Sequence, residues 1–170
     1  GVIFTEDGFI LTNAHVIAGG SECYVVLDTG EDYRACLLGL DEEKDLAVIK
    51  IAASGLPAAE FGDSDALTVG DPVYAIGNPL GLGLAISSGI IGSTAHELDR
   101  YALPCIVNSA DISRGSSGGV LMNAHGQVIG VTSGAYTYGN NMYLAVPVDP
   151  VMASDLTVSG WTLKEVKAIE

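Results

Sequence analysis

The chain has 170 residues, 22 of them Gly, and 48% are hydrophobic, enough to bury a core and more apolar surface than a disordered chain carries. Its 21 acidic against 7 basic residues give a formal net charge of −14, so a phosphate backbone or an anionic membrane surface is repelled and nucleic acid is excluded as a partner. No apolar run reaches the roughly 18 residues of a membrane-spanning helix, and no basic, apolar, small-residue leader precedes Gly1.

The chain begins without Met inside a strand-like run, which reads as an excised or processed piece. Short apolar and β-branched runs then recur between Gly, Asp and Asn: Val2–Phe4, Phe9–Leu11, Tyr24–Leu27, Ala35–Leu40, Leu46–Ile51, Val73–Ile76, Ile90–Ile91, Ile106–Val107, Val128–Val131 and Met142–Val146. This spacing predicts an all-β sandwich or barrel fold. Helix signals are limited to a short turn after His15 and a C-terminal helix from about Pro150. The least strand-like stretch, Pro57–Asp71, divides the chain into units 1–68 and 69–157, with 158–170 as a tail or the start of a linker. Cys23, Cys36 and Cys105 are an odd number of thiols and define no disulfide framework. The turn Asp28–Glu31 lies midway between Cys23 and Cys36, so a hairpin could set them opposite each other, as a bridge or as two buried apolar residues.

Three stretches carry chemistry. In Leu11-Thr-Asn-Ala-His-Val16 a lone His closes an apolar strand, where it serves either as a satisfied half-buried residue or as a general base with a pKa near neutrality. His96 and His125 lack this setting, the first reading as an exposed loop and the second as a hairpin turn. In Lys44-Asp-Leu-Ala-Val-Ile-Lys50 an Asp enters a strand. It is a turn residue, or a buried carboxylate that takes the Nδ1 proton of a His and fixes its tautomer. In Asp111-Ile-Ser-Arg-Gly-Ser-Ser-Gly-Gly-Val120 the glycines suit a linker, or a strained turn that presents Ser117 as a nucleophile. In the second case the N–H groups of Gly115 and Ser117 form an oxyanion hole. Apolar segments close on both sides disfavour the linker.

The order His, Asp, Ser, together with GVIFTEDGFILTNAHV, KDLAVIKI, FGDSDALTVGDPVYAIGNPLGLG, GSSGGVLMNAHGQVIGV and YLAVPV, resembles the HtrA (DegP-like) branch of the chymotrypsin-fold serine proteases. The resemblance implies two antiparallel six-stranded β-barrels with the active site in the cleft between them. It implies His15, Asp45 and Ser117 as base, orienting acid and nucleophile, with Ser133 and Gly134 beside Asp111 in the specificity pocket. It further implies a serine endopeptidase acting on unfolded or exposed protein segments outside the cytoplasm, whether periplasmic, cell-surface or secreted. No metal or cofactor is called for. The family is often trimeric through an upstream segment and often followed by a PDZ domain; neither is expected within this chain.

Two departures bear on function. Ser116 stands where the family usually has Asn, and the acidic residue of the family's TDAAIN stretch has moved two positions, to Asp111. A carboxylate at the bottom of a deep, dry pocket would take Arg or Lys before the scissile bond; the alternative is an Asp111 that pairs with Arg114 or faces solvent. Two competing functions remain. One is a peptide-binding, chaperone-like module whose catalytic geometry is switched off until a ligand arrives; the other is a non-catalytic double barrel. The net negative charge also implies that cationic substrates are drawn in at low salt.

Overall fold

The computed structural model describes residues 1–113, 115–136 and 140–149. The first unit is built from β1 (Val2–Ile3), β2 (Phe9–Thr12), β3 (Cys23–Val26), β4 (Asp32–Asp41) and β5 (Leu46–Ile51), with the one-turn helix α1 (Ala14–Ile17) after β2. These strands form one antiparallel sheet in the order β1-β2-β5-β4-β3. The run LAVIKI is nearly all apolar because β5 is the central strand and both of its faces are covered. One face carries Ile49 and Ile51, which join Ile10 in a cluster closed by Ile17, Val25 and Leu37. The other carries Leu46 and Val48, which turn toward the second unit.

The second unit comprises β6 (Pro72–Gly77), β7 (Ala85–His96), β8 (Cys105–Asn108), β9 (Val120–Asn123), β10 (Val128–Ala135) and β11 (Tyr143–Pro147). They close in the order β10-β11-β8-β7-β6-β9. The interior is filled by small and β-branched side chains, among them Val73, Ala75, Ile91, Ile106, Leu121 and Ile129. Closure leaves no free sheet edge in this unit. Where the units meet, Leu11, Leu46 and Val48 pack with Tyr101, Cys105, Val107, Val131, Leu144 and Val146 in one shared cluster. Burial across this contact lets two small units stand together.

Several expectations are corrected. The first unit is a curled five-stranded sheet rather than a closed six-stranded barrel. Its edge strand β1 has two residues, and the connection between β5 and β6, where a closing strand would arise, instead makes a parallel bridge from Phe61 to Val128 of the other unit. Strand β9 was hidden in the sequence by the GSSGG run directly before it. Strand β7 spans 12 residues although Ser and Gly interrupt its apolar pattern: Ser88 is exposed, Gly92 lies at a bulge, and Gly89 sits where a Cβ would meet the Ala110 backbone. His96 therefore ends a strand instead of lying in a loop, and its ring meets Tyr136 edge-on with centroids 5.8 Å apart. Cys23 lies opposite Ala35 and Cys36 opposite Lys50, so the two thiols point to opposite faces of β4; all three cysteines are free. The expected C-terminal helix and Arg114 lie outside the described residues. No helix among those residues is long and apolar enough to cross a membrane.

Leu11 is 2% exposed in the shared cluster, so Leu11→Ala should cost about 2–5 kcal/mol in denaturant unfolding. Val26→Ala, on a side chain 67% exposed, should stay within ~0.5 kcal/mol of wild type.

Candidate active site

Strand β2 ends at Thr12, and Asn13 begins the single turn that lifts His15 to the surface with 44% of its side chain exposed. The connection from β4 to β5 brings Asp45 beneath it. Asp45 has φ +56°, a left-handed conformation that Asp tolerates better than most residues when its neighbours over-determine it. Here they do: its N–H donates to the Glu42 carbonyl at 3.3 Å, and its own carbonyl accepts from Asn13 Nδ2 at 2.9 Å.

The Asp45 carboxylate is 10% exposed and accepts three donors. His15 Nδ1 lies 2.8 Å from each oxygen, the His15 backbone N–H reaches Oδ1 at 3.0 Å, and Ser133 Oγ reaches Oδ2 at 2.6 Å. An ionised carboxylate can only accept, so the proton of the imidazole sits on Nδ1. Nε2 is then the ring's unprotonated acceptor.

Ser117 lies in a turn closed by the Gly119 N–H on the Ser116 carbonyl at 2.9 Å. This turn is pinned to β10: Thr132 Oγ1 donates to the Ser116 carbonyl at 2.7 Å, and the Gly118 N–H donates to the Thr132 carbonyl at 2.9 Å. Gly118 has φ +81°, and a Cβ there would collide with Thr12 Oγ1 across the cleft, so only Gly fits. The Ser117 hydroxyl donates to the Ser133 carbonyl at 2.9 Å. No hydrogen bond joins it to His15 among the described residues. Gly115 has φ +97°, and neither its N–H nor that of Ser117 donates to another described residue.

Two residues do more than their sequence positions indicate. Asn13 is fully buried; its Nδ2 holds the Asp45 carbonyl, and its Oδ1 accepts the Gly118 N–H at 2.7 Å. It therefore ties Asp45 of the first unit to the Ser117 turn of the second. The signal was present, since a buried Asn at the end of an apolar strand must find several partners. Ser133, expected in the pocket wall, bonds Asp45 through its hydroxyl and Ser117 through its carbonyl.

Asp111 is exposed, and its carbonyl accepts Ser87 Oγ at 2.6 Å. Its carboxylate raises the Tyr143 phenol above its ordinary pKa, first by hydrogen bonding. A pocket of about 150 Å³ is lined by Ile86, Ser87, Asp111, Ile112, Ser113 and Ser116, among others; Ser133 and Gly134 are not part of it. Among the described residues no three His, Cys, Asp or Glu side chains converge on a metal position.

The family model for the trypsin-like peptidase domain matches residues 1–131. The chain belongs to the HtrA (DegP-like) branch of these peptidases. It is 42% identical over 156 residues to a probable periplasmic serine endoprotease DegP-like of Halomonas elongata, covering 89% of this chain and 33% of that protein. It is 39% identical over 153 residues to a putative serine protease HhoB of Synechocystis, covering 87% and 37% respectively. Among solved structures it is similar to the HtrA-type protease AlgW with decapeptide, at TM-score 0.82 and 36% identity, covering 89% of this chain and 48% of the other. The serine endoprotease from Yersinia pestis matches at TM-score 0.79 and 34% identity, over 89% and 54%. The chain thus spans about a third of the length of the curated relatives and about half of the solved chains.

Asn13→Ala removes a fully buried amide and leaves the Asp45 carbonyl without its partner, while the Gly118 N–H keeps Thr132. Urea unfolding should show a loss of about 1–3 kcal/mol. Thr29→Ala, which loses only an exposed bond to Glu31, should be near neutral.

Proposed function

We propose that this chain is the protease unit of an HtrA-like serine endopeptidase that hydrolyses unfolded or exposed protein segments. The observation that carries the proposal is the Nδ1 bond of His15 to the buried Asp45 carboxylate, because it leaves Nε2 free to act as a base. Residues 1–68 supply the base and its orienting acid. Residues 69–157 supply the nucleophile, the Gly115 and Ser117 N–H donors and the pocket; the expected tail or linker at 158–170 lies outside the described residues.

In this mechanism the Ser117 hydroxyl turns from the Ser133 carbonyl to Nε2 of His15. His15 takes its proton as Oγ attacks the substrate carbonyl carbon, and the tetrahedral oxyanion is held by the N–H groups of Gly115 and Ser117. Asp45 stabilises the imidazolium. Collapse breaks the peptide C–N bond, and the Nε2 proton leaves with the amine. Water, deprotonated by His15, attacks the acyl-enzyme ester and frees Ser117. No metal or organic group takes part in these steps. The periplasmic description of the DegP-like relatives supports an extracytoplasmic site of action, and peptide or unfolded protein is the partner.

The bond from Ser117 Oγ to the Ser133 carbonyl favours a second reading, in which the isolated chain rests in a peptide-binding arrangement until the serine is released. The first reading is tested by mass-spectrometric mapping of every bond cut in an unfolded protein. Wild type should cut, and Ser117→Ala should lose activity on the order of a million-fold; cuts that persist in Ser117→Ala contradict the mechanism. A wild type that binds the unfolded protein without cutting it supports the second reading. The same maps test Asp111 as the specificity carboxylate: cuts after Arg and Lys, lost in Asp111→Asn, are expected. Cuts after Val and Ala that the substitution leaves unchanged overturn that role.

A further inference from the structure

A chain of short hydrogen bonds continues beyond Asp45, away from His15. Ser133 Oγ, 2.6 Å from Asp45 Oδ2, is also 2.6 Å from the hydroxyl of Tyr101, and Arg100 Nη2 is 2.7 Å from that same hydroxyl. The proton direction along this chain is fixed. The carboxylate only accepts, so the one hydroxyl proton of Ser133 points to Asp45, and Ser133 Oγ must accept from Tyr101. The one proton of Tyr101 is thereby used, so its oxygen accepts from Arg100, whose guanidinium has only donors. Every bond is oriented from the cation toward the anion.

We propose that Tyr101, held by Arg100, is a positioning residue that orients and stabilises the Asp45 carboxylate through Ser133. The proposal rests on the assignment of His15 and Asp45 given above. Tyr101 is 8% exposed and packs in the cluster shared by the two units, with the Arg100 guanidinium carbon 4.7 Å from its ring centroid. Its segment is tied to the loop of the acid: the Ala102 N–H donates to the Glu43 carbonyl at 2.7 Å, and Tyr101 caps its own turn on the Leu98 carbonyl at 3.0 Å. The segment between β7 and β8 thus delivers a buried donor to the acid of the other unit. Burial pushes the Tyr101 phenol up, against the Ser133 bond and the Arg100 charge, which lower it. The hydroxyl therefore stays protonated and keeps donating.

Oriented donors strengthen one another in a low-dielectric setting. Withdrawal of charge through Ser133 leaves less negative charge on Asp45 to hold His15 as imidazolium. Loss of the Tyr101 hydroxyl should therefore raise the His15 pKa. The other charged or titratable groups facing Asp45 among the described residues are His15 itself, Arg100 and Cys105 of β8, whose thiol is pushed up to about 11 by burial and stays neutral. Lys44, next in sequence, is paired with Asp41 at 2.8 Å.

The test is a histidine NMR titration of the whole chain as wild type, Tyr101→Phe and Arg100→Gln. Phe keeps the ring and removes only the hydroxyl. In both variants the His15 curve should move to higher pH than in wild type, while the His96 and His125 curves do not move. A His15 curve in folded Tyr101→Phe that superimposes on wild type overturns the proposal, since filling space is then all that Tyr101 does. If Tyr101→Phe does not fold, Arg100→Gln decides by the same criterion, because Arg100 is exposed. The titration needs no turnover. Failure of the nucleophile assignment is read separately, by a serine-directed covalent probe that labels Ser117→Ala as well as wild type.

Discussion

The site is organised by one costly object, a carboxylate that is nearly buried where two small β units meet. A charge removed from water must be met by donors or it neutralises itself. Asp45 is met from three directions: by the backbone and ring of His15 in its own unit, and by Ser133 from the other. Its left-handed backbone is held by Glu42 and Asn13. That requirement places the β2 end, the β4–β5 turn and strand β10 relative to one another. The apolar cluster shared by Leu11, Val48, Val131 and Leu144 gives the contact its burial without fixing its register.

Polar contacts that cross the cleft supply that register. Asn13 links the Asp45 carbonyl to the Gly118 N–H, and Ser133 links the Asp45 carboxylate to the Ser117 hydroxyl. His15 and the Ser117 turn are therefore not independent elements brought close by packing. They share partners, so a shift of β10 relative to the first sheet disturbs both. The Ser117 hydroxyl itself rests on the Ser133 carbonyl.

Much of the architecture was legible in the sequence because it rests on local pattern. The apolar runs at Phe9–Leu11, Leu46–Ile51 and Val128–Val131 became β2, β5 and β10, and the motifs around His15 and Asp45 pointed to side chains that do meet. Patterns of composition failed where chemistry and strand shared residues. The Val120–Asn123 strand was masked by the glycines of the preceding turn, and the Ser and Gly of β7 diluted its periodicity. Closure of the first unit was not legible at all, because whether residues near Phe61 pair at home or with Val128 is decided by long-range packing. The same holds for Asn13, Ser133 and Tyr101. Their residue types say that partners are needed, and only the fold says which. Asp111 is the converse: six residues before Ser117, its position left open both a pocket base and a carboxylate facing solvent, and only the fold shows it exposed beside Tyr143.

The most direct measurement of the central claim is the tautomer of His15, read from its ring nitrogen shifts in nitrogen-15-labelled protein above the imidazole pKa. A carboxylate that holds Nδ1 predicts the Nδ1–H form, with Nε2 unprotonated, and loss of that preference in Asp45→Asn. A His15 found chiefly as the Nε2–H form, or one whose tautomer ignores Asp45→Asn, would contradict the account, because the ring would then have no acceptor to offer Ser117.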